Sequence, residues 1–481
     1  VRSGPIEEDR PVISMTFDEL AEAVSGRLVL RGGASAADSV DGFVETDSRE
    51  IADGGVFVAK PGEVTDGHRF VGVARERGAR VAIVDHEVAD DITQIVVPDT
   101  VEALGRLAAH VVASVRSRGR LRVVGITGSN GKTTTKNLLA AILSARGETV
   151  APKNSFNNAV GAPTTMLRVT ADTEYLVSEM GASAPGQIAR LVAMATPDIG
   201  VVLKVGLAHA GGFGGIGQTF VEKSAMVTGL PESAVAVLNR DDPRVVAMAD
   251  LTAARVVWFG LEGDAHVRAT DVEADRSGTR FTVTLPSGES SRVHFKVLGE
   301  HHVSNALAAV AVASELGVRL GDIVSGLESV TRAERWRMEV LGGRDGVTII
   351  NDAYNASPDS MAAALKTLAL ITPPDGRRVA VLGTMAELGE FAGEEHDRIG
   401  LLAVRLRVDR LVVVGSDARR LHISAINEGS WDGESVFVES ADDAYAYLAD
   451  ELREGDTVLV KSSNSAGLRH LGDRLGELFS W

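Results

Sequence analysis

The feature that most restricts this chain is the run Gly125-Ile-Thr-Gly128-Ser-Asn-Gly131-Lys132-Thr133-Thr134. β-type residues from Leu121 to Val124 feed it, and a helical sequence from Lys136 to Ala145 leaves it. Small residues let backbone N–H groups curl around phosphate oxygens, and the emerging helix adds its positive N-terminal end. Gly128, Ser129, Asn130, Gly131, Lys132, Thr133 and Thr134 are therefore the expected phosphate contacts, with Lys132 on the terminal phosphates and the Thr133 hydroxyl on Mg²⁺. Ile126 stands where the strict pattern has its first glycine. Strand, loop and helix in this order commit the region to α/β architecture and predict ATP as a ligand. The loop does not name the reaction, because kinases, transport ATPases and ligases share it.

The rest of the chain sets the frame. Its 481 residues leave room for three domains at roughly 150 residues each. Lys and Arg number 49 against 66 Asp and Glu, a net charge of -17, which disfavours a nucleic-acid partner because repulsion from phosphate is not offset. No apolar run approaches the ~20 residues of a membrane span. No charged-then-apolar leader is seen either, so the expectation is a cytoplasmic protein without membrane insertion. Cys is absent, which removes disulfides, thiolate nucleophiles and Cys-ligated metal.

Three stretches separate by pattern. Residues 1–118 open on a polar arm, Val1 to Ser14, then mix short strands (Gly55 to Ala59, Val81 to Val84, Ile95 to Val97) with a helix over Thr100 to Arg116. The basic segment Ser114 to Leu121 reads as a hinge. Residues 119–337 alternate helices with strands at Leu121 to Ile126, Tyr175 to Ser178, Ile199 to Leu203 and Ala234 to Leu238. Alternating polarity between Val267 and Val297 predicts antiparallel hairpins attached to a parallel sheet. Residues 338–481 repeat strand, turn and helix, with strands at Val347 to Ile350, Arg378 to Leu382, Arg410 to Val414 and Thr457 to Val460. That is a doubly wound, Rossmann-like sheet whose ligand groups belong in the loops after its strands. The expected fold class is three-domain α/β.

An ordered set of residues follows the phosphate loop: Asn154-Ser-Phe-Asn157-Asn158, Glu179-Met-Gly181, Ala208-His209, Lys223, Asn239-Arg-Asp-Asp242 and Asn305-Ala306. It resembles the Mur ligase family, ATP-dependent enzymes that build the bacterial wall precursor, over essentially the whole chain. Asn351-Asp352-Ala-Tyr354-Asn355-Ala-Ser357-Pro358 and Met385-Ala-Glu387-Leu-Gly389 look like the member whose acceptor is D-alanyl-D-alanine and whose donor is a UDP-N-acetylmuramoyl-tripeptide. Thr46-Asp47-Ser48-Arg49 and Asp66-Gly67-His68 are similar to the uridine-nucleotide domain of the ligases acting late in that pathway.

The resemblance implies the remaining roles. Thr133 and Glu179 would hold one Mg²⁺, and His209 with a CO₂-derived carbamate on Lys223 a second. Lys132, Glu179, His209 and Lys223 form the implied catalytic set. Asn239 and Asn305 would meet adenine, while Arg335 and Asp352 would meet the γ-phosphate and ribose. Asp47, Ser48 and Arg49 would contact the uridine diphosphate, and Asn157 and Asn158 phosphate or substrate. Tyr354, Asn355, Ser357 and Pro358 would hold the dipeptide, with Glu387 near its amine. The family further implies a monomer whose outer domains close on binding.

Four positions depart from the family pattern. Ala333-Glu334-Arg335 stands for Pro-Gly-Arg, Lys204 for an Asn, Gly211 for a Glu, and Asn464 for the Arg of Lys-Gly-Ser-Arg. From the residues alone, three rivals stay open: a family ligase adding a single amino acid, a phosphate-loop ATPase driving a partner, and a binding-only module.

Overall fold

The computed structural model describes residues 14–62, 65–153, 155–207, 214–261, 263–330, 334–428 and 434–480. The expected arm (apart from Ser14), His209, Gly211 and Ala333 lie outside the described residues.

The N-terminal stretch forms a five-stranded sheet in the order Arg27–Val29, Thr93–Val96, Val81–Val84, Val56–Val58, Val44–Glu45. It is parallel except for the edge strand Arg27–Val29. The helix Thr100–Ser117 starts where the Asp99 carboxylate accepts the amides of Val101 and Glu102. Such a cap satisfies amides that lack an intrahelical partner. Its apolar face, with Leu104, Leu107, Val111 and Val115, joins one continuous core. That core also takes in Phe17 and Leu20 of the first helix and Met166, Ile188 and Leu191 of the middle stretch. The basic segment after this helix is no slack hinge, because Asp198 accepts both Arg116 at 3.2 Å and the Val123 amide at 2.7 Å.

The middle stretch is a nine-stranded sheet. Its parallel part runs Thr149–Val150, Tyr175–Glu179, Arg122–Thr127, Ile199–Val202, Val235–Asn239, Arg255–Gly260, Val267–Asp275. Gly278–Thr284 and Ser290–Phe295 then continue it antiparallel, as the alternating pattern predicts. The phosphate-loop strand therefore lies inside the sheet, flanked by the strands that carry Glu179 and Lys204 at their ends. Helix Glu300–Glu315 buries the run from Ala306 to Ala313 and packs on helix Lys132–Ser144. Small side chains permit that close approach.

The C-terminal stretch is a six-stranded sheet ordered Glu339–Gly342, Thr348–Asn351, Thr457–Lys461, Arg378–Leu382, Arg410–Val414, Ser435–Val438. Only the edge strand Glu339–Gly342 is antiparallel. Separate apolar clusters cover its two faces, the doubly wound arrangement. The three-domain α/β expectation holds. No helix among the described residues is long and apolar enough to cross a membrane.

Candidate active site

The phosphate loop closes tightly because two of its residues have no side chain. Gly128 sits at φ 153 and Gly131 at φ 87. A Cβ on Gly128 would lie 2.9 Å from that of Leu203, and one on Gly131 would lie 2.2 Å from Asn305 Oδ1. Ser129 ties the loop to the neighbouring strand end: its amide donates to Lys204 O at 2.8 Å, and its hydroxyl donates to Gly206 O at 3.1 Å. Lys132 folds back over the loop, Nζ donating to Gly128 O at 2.7 Å. Burial lowers its pKa, as does Arg337, against an opposing pull from Glu179.

Loop residues 129–134 line a cavity of about 280 Å³ with Ser155, Asn157, Glu179, His301, His302, Asn305, Arg337, Asp352, Tyr354, Asn355, Ser360 and Lys461. Glu179, 1% exposed at its strand end, accepts Thr133 Oγ1 at 3.2 Å and Asn157 Nδ2 at 2.7 Å on one carboxylate oxygen. Its other oxygen is buried without a hydrogen-bond partner among the described residues. A hydroxyl and a carboxylate with a vacant oxygen, next to phosphate donors, are the hard donor set that Mg²⁺ takes. Lys223, on helix Ile216–Thr228, is buried, and its pKa falls to about 7, chiefly through burial and then through the charge of Lys132. The neighbouring Glu222 is occupied by the amides of Gly186 and Ile188.

A second cavity of about 620 Å³ adjoins the first and shares Asn130, Gly131, His301 and Asn305 with it. Asn239 and Asn305 both line it, so the two expected adenine residues come together. The Asn239 side chain is held by Leu203 O at 2.7 Å and the Asp241 amide at 2.9 Å. Glu395 and Arg398 reach this cavity from the helix Ala392–Arg405 of the C-terminal stretch, and sequence reasoning did not single them out.

Across the cavity, the junction residues fall differently from expectation. Arg335 points away: its guanidinium pairs with Asp473 at 3.0 Å and lies over the Trp336 ring. Arg337 takes the place expected for Arg335 in the phosphate cavity, donating to Ser155 Oγ at 3.1 Å and covering the Tyr354 ring at 4.4 Å. The reason lies between them. Trp336 sits at φ 62, the left-handed region natural to glycine. Trp336 thus stands between an arginine that faces outward and one that faces the cavity. The strained Trp336 is held by its indole N–H on Asp473 and by its carbonyl, which accepts the Tyr354 amide.

Asp352 does line the cavity, with both carboxylate oxygens engaged: Met338 N donates to one at 3.0 Å and Lys461 Nζ to the other at 2.6 Å. Lys461 also donates to Asn355 O at 3.0 Å. Tyr354 and Asn355 line the cavity as expected. Ser357 links the two sheets by donating to Asn130 Oδ1 at 3.1 Å, and Pro358 opens helix Pro358–Ile371. A further cavity of about 300 Å³ takes Asn355, Ala356, Ser357, Ala386, Glu387, Leu388, Ser463, Asn464 and Ser465. Asn464, the departure from arginine, contacts the guanidinium of Arg469.

Asn158 does not line these cavities; its carboxamide caps the following helix on the amides of Val160 and Gly161. Asp47, Ser48 and Arg49 lie on the N-terminal sheet's loop and line none of these cavities either. Arg49 bonds hold the Asp47 carboxyl down at about 2, and Ser48 is buried.

A phosphate loop facing a doubly wound acceptor sheet across one cleft defines a nucleotide-consuming enzyme of Mur type. Residues 42–112 match the Mur ligase family catalytic domain, 126–313 the Mur ligase middle domain, and 336–464 the Mur ligase glutamate ligase domain. The chain belongs to the Mur ligase family. It is 44% identical to the UDP-N-acetylmuramoyl-tripeptide–D-alanyl-D-alanine ligase of Mycobacterium tuberculosis (strain H37Rv), over 96% of this chain and 98% of that protein. The Escherichia coli K12 enzyme of that name is 34% identical, over 97% of this chain and 99% of that protein. The structure is similar to crystal structure I of MurF from Acinetobacter baumannii, with TM-score 0.87, 30% identity, and 97% and 100% of the two chains covered. It is also similar to the MurF ligase of Thermotoga maritima in complex with ADP, with TM-score 0.80, 27% identity, and coverage of 91% and 97%.

Proposed function

We propose that this chain is an ATP-dependent peptide ligase that adds D-alanyl-D-alanine to UDP-N-acetylmuramoyl-tripeptide, releasing ADP and phosphate. The observation that carries this reading is a phosphate cavity that shares Asn355 with a neighbouring cavity of the C-terminal stretch, in a chain nearly coextensive with relatives of that name. Residues 1–118 would bind the uridine nucleotide, 119–337 ATP, and 338–481 the dipeptide, in a cytoplasmic monomer.

A carboxylate is a poor electrophile, so one of its oxygens first attacks the γ-phosphorus and the β–γ bond breaks, giving an acyl phosphate and ADP. The dipeptide amine then attacks the acyl carbon, loses a proton, and expels inorganic phosphate. Lys132, Arg337 and Lys461 surround the place where that negative charge gathers, and fixed cations in a dry cleft need no reorganisation as it develops. Thr133 and Glu179 would hold one Mg²⁺ and a carbamate on Lys223, with His209, another, and such ions would supply charge neutralisation to the reacting groups. A neutral amine is what CO₂ requires, and a buried Lys223 with a pKa of about 7 offers one near neutral pH. Its nitrogen bonds to the CO₂ carbon and releases one proton. Glu387 borders the acceptor cavity at φ 63, in position to receive the dipeptide's ammonium group.

Phosphate release tests the reaction: it is expected only when the muramoyl-tripeptide nucleotide and D-alanyl-D-alanine are both present with ATP. Equal ATP consumption without the peptide acceptors would instead make the chain an ATPase. ¹³C-bicarbonate labelling tests Lys223, with a carbamate resonance expected in the wild type and lost in Lys223→Ala.

A further inference from the structure

Helix Glu300–Glu315 follows Gly299, at φ 104, and brings His301 and His302 against the phosphate cavity in its first turn. His302 is 5% exposed. Its Nδ1 lies 3.3 Å from Asn305 Nδ2. An amide nitrogen only donates, so Nδ1 accepts and the ring proton resides on Nε2. That Nε2 is buried with no hydrogen-bond partner among the described residues. Burial, then the charges of His301, Arg337 and Lys461, keep the ring neutral by holding its pKa well below the usual histidine range. The result is an unmatched neutral donor in a wall that otherwise offers Lys132, Arg337 and Lys461.

Position narrows the acceptor. His301 lines both the phosphate cavity and the larger cavity that holds Asn239, whereas His302 lines the phosphate cavity and not the larger one. A base or ribose oxygen on the Asn239 side is therefore the wrong partner, and a phosphate oxygen the right one. We infer that His302 donates its Nε2–H to an oxygen of the terminal phosphates of bound nucleotide, with Asn305 fixing the tautomer that makes this possible. The inference rests on the nucleotide half of the function proposed above.

Calorimetric titration of AMP-PNP, ADP and AMP into the wild type and into His302→Ala tests it. The ratio of AMP-PNP to AMP affinity is expected to fall about tenfold or more, the scale of a hydrogen bond to a charged group. His302→Gln, which restores an N–H at similar reach, is expected to recover most of that ratio. His302→Leu fills the ring's volume without a donor and replaces the alanine variant should that one fold poorly. An unchanged ratio in a variant with wild-type melting behaviour, or equal losses for all three nucleotides, would overturn the assignment. A wild type that binds AMP-PNP yet joins no dipeptide would refute the ligase reading and leave this contact standing.

Discussion

Along one wall of the phosphate cavity, a single contiguous run, Gly128 to Thr134, supplies the loop, the lysine and the hydroxyl, pinned to the adjoining strand end through Ser129. Across the cavity, Arg337, Asp352, Tyr354, Asn355 and Lys461 come from a strained junction, a loop and a distant strand end. They hold one another in place through Lys461 on Asp352 and Asn355, and Arg337 on Tyr354. The first wall is prefabricated by sequence neighbours, and the second exists only once the C-terminal sheet has docked. A motif search therefore finds the first and misplaces parts of the second.

The contrast is open to direct attack. Lys132→Ala should have the largest effect, lowering the joining rate about 10²–10³-fold, the scale for losing one preorganised charge-stabilising donor. A variant within tenfold of wild type would remove the loop from the chemistry. Next, Arg337→Ala should cost about 10²-fold in kcat, whereas Arg335→Ala, exposed and engaged with Asp473 and the Trp336 ring, should stay within about twofold. The reverse order would return the catalytic arginine to Arg335.

The seam between the walls should show in acid. Burial, against an opposing pull from Asp352 and with smaller contributions from Lys461 and Lys204, lowers the His301 pKa from 6.5 to about 4. Between those values the unfolded chain binds the proton and the folded chain does not, so stability present above 6.5 is lost as pH falls toward 4. Urea midpoints of His301→Gln should fall less over that interval than those of the wild type; parallel curves would assign the acid sensitivity elsewhere. The smallest effect is expected from Lys204→Asn, which breaks a half-exposed ion pair with Asp359 at 3.4 Å. Thermal melting should register less than about 1 kcal/mol, and a larger loss would mean that this pair carries the docking of the two sheets.

Much of the architecture was legible because it is local. The parallel strands that were expected fall within a residue or two of the hydrophobic runs, and Val81–Val84, Arg378–Leu382 and Arg410–Val414 coincide with them, whereas Val44–Glu45, Thr149–Val150, Arg255–Gly260 and Ser435–Val438 were not anticipated. The antiparallel edges Arg27–Val29 and Glu339–Gly342 were missed, being short and charged at one end, without a buried run to mark them. Glu179, Asn239 and Asn305 were found through their motifs, and the cavities do gather them. Arg335 was misread because no propensity announces a tryptophan in a left-handed conformation, and that one residue shifts which arginine faces inward. Asn158 was read as a ligand group, yet an amide two or three residues before free helix amides is also a cap, and here it is one. Ser155, His302 and Lys461 were not assigned roles, since what recruits them is tertiary contact across the cleft.

The helix Thr100–Ser117 bears on how the molecule handles its substrates. Its side chains are embedded at once in the N-terminal unit and in the body that carries the phosphate loop. Prising those two apart would expose residues such as Leu104 and Leu107, each worth about 1.5–3 kcal/mol to keep dry. The C-terminal sheet meets the rest through Leu298 and Ala274, which join its own apolar cluster, and at several polar points: Ser357 on Asn130, Lys204 with Asp359, Arg276 on Thr457. Water can stand in for contacts of that kind at little cost. A lobe that moves to admit substrates is therefore expected to part at the C-terminal seam, with the N-terminal unit and the phosphate-loop body travelling as one.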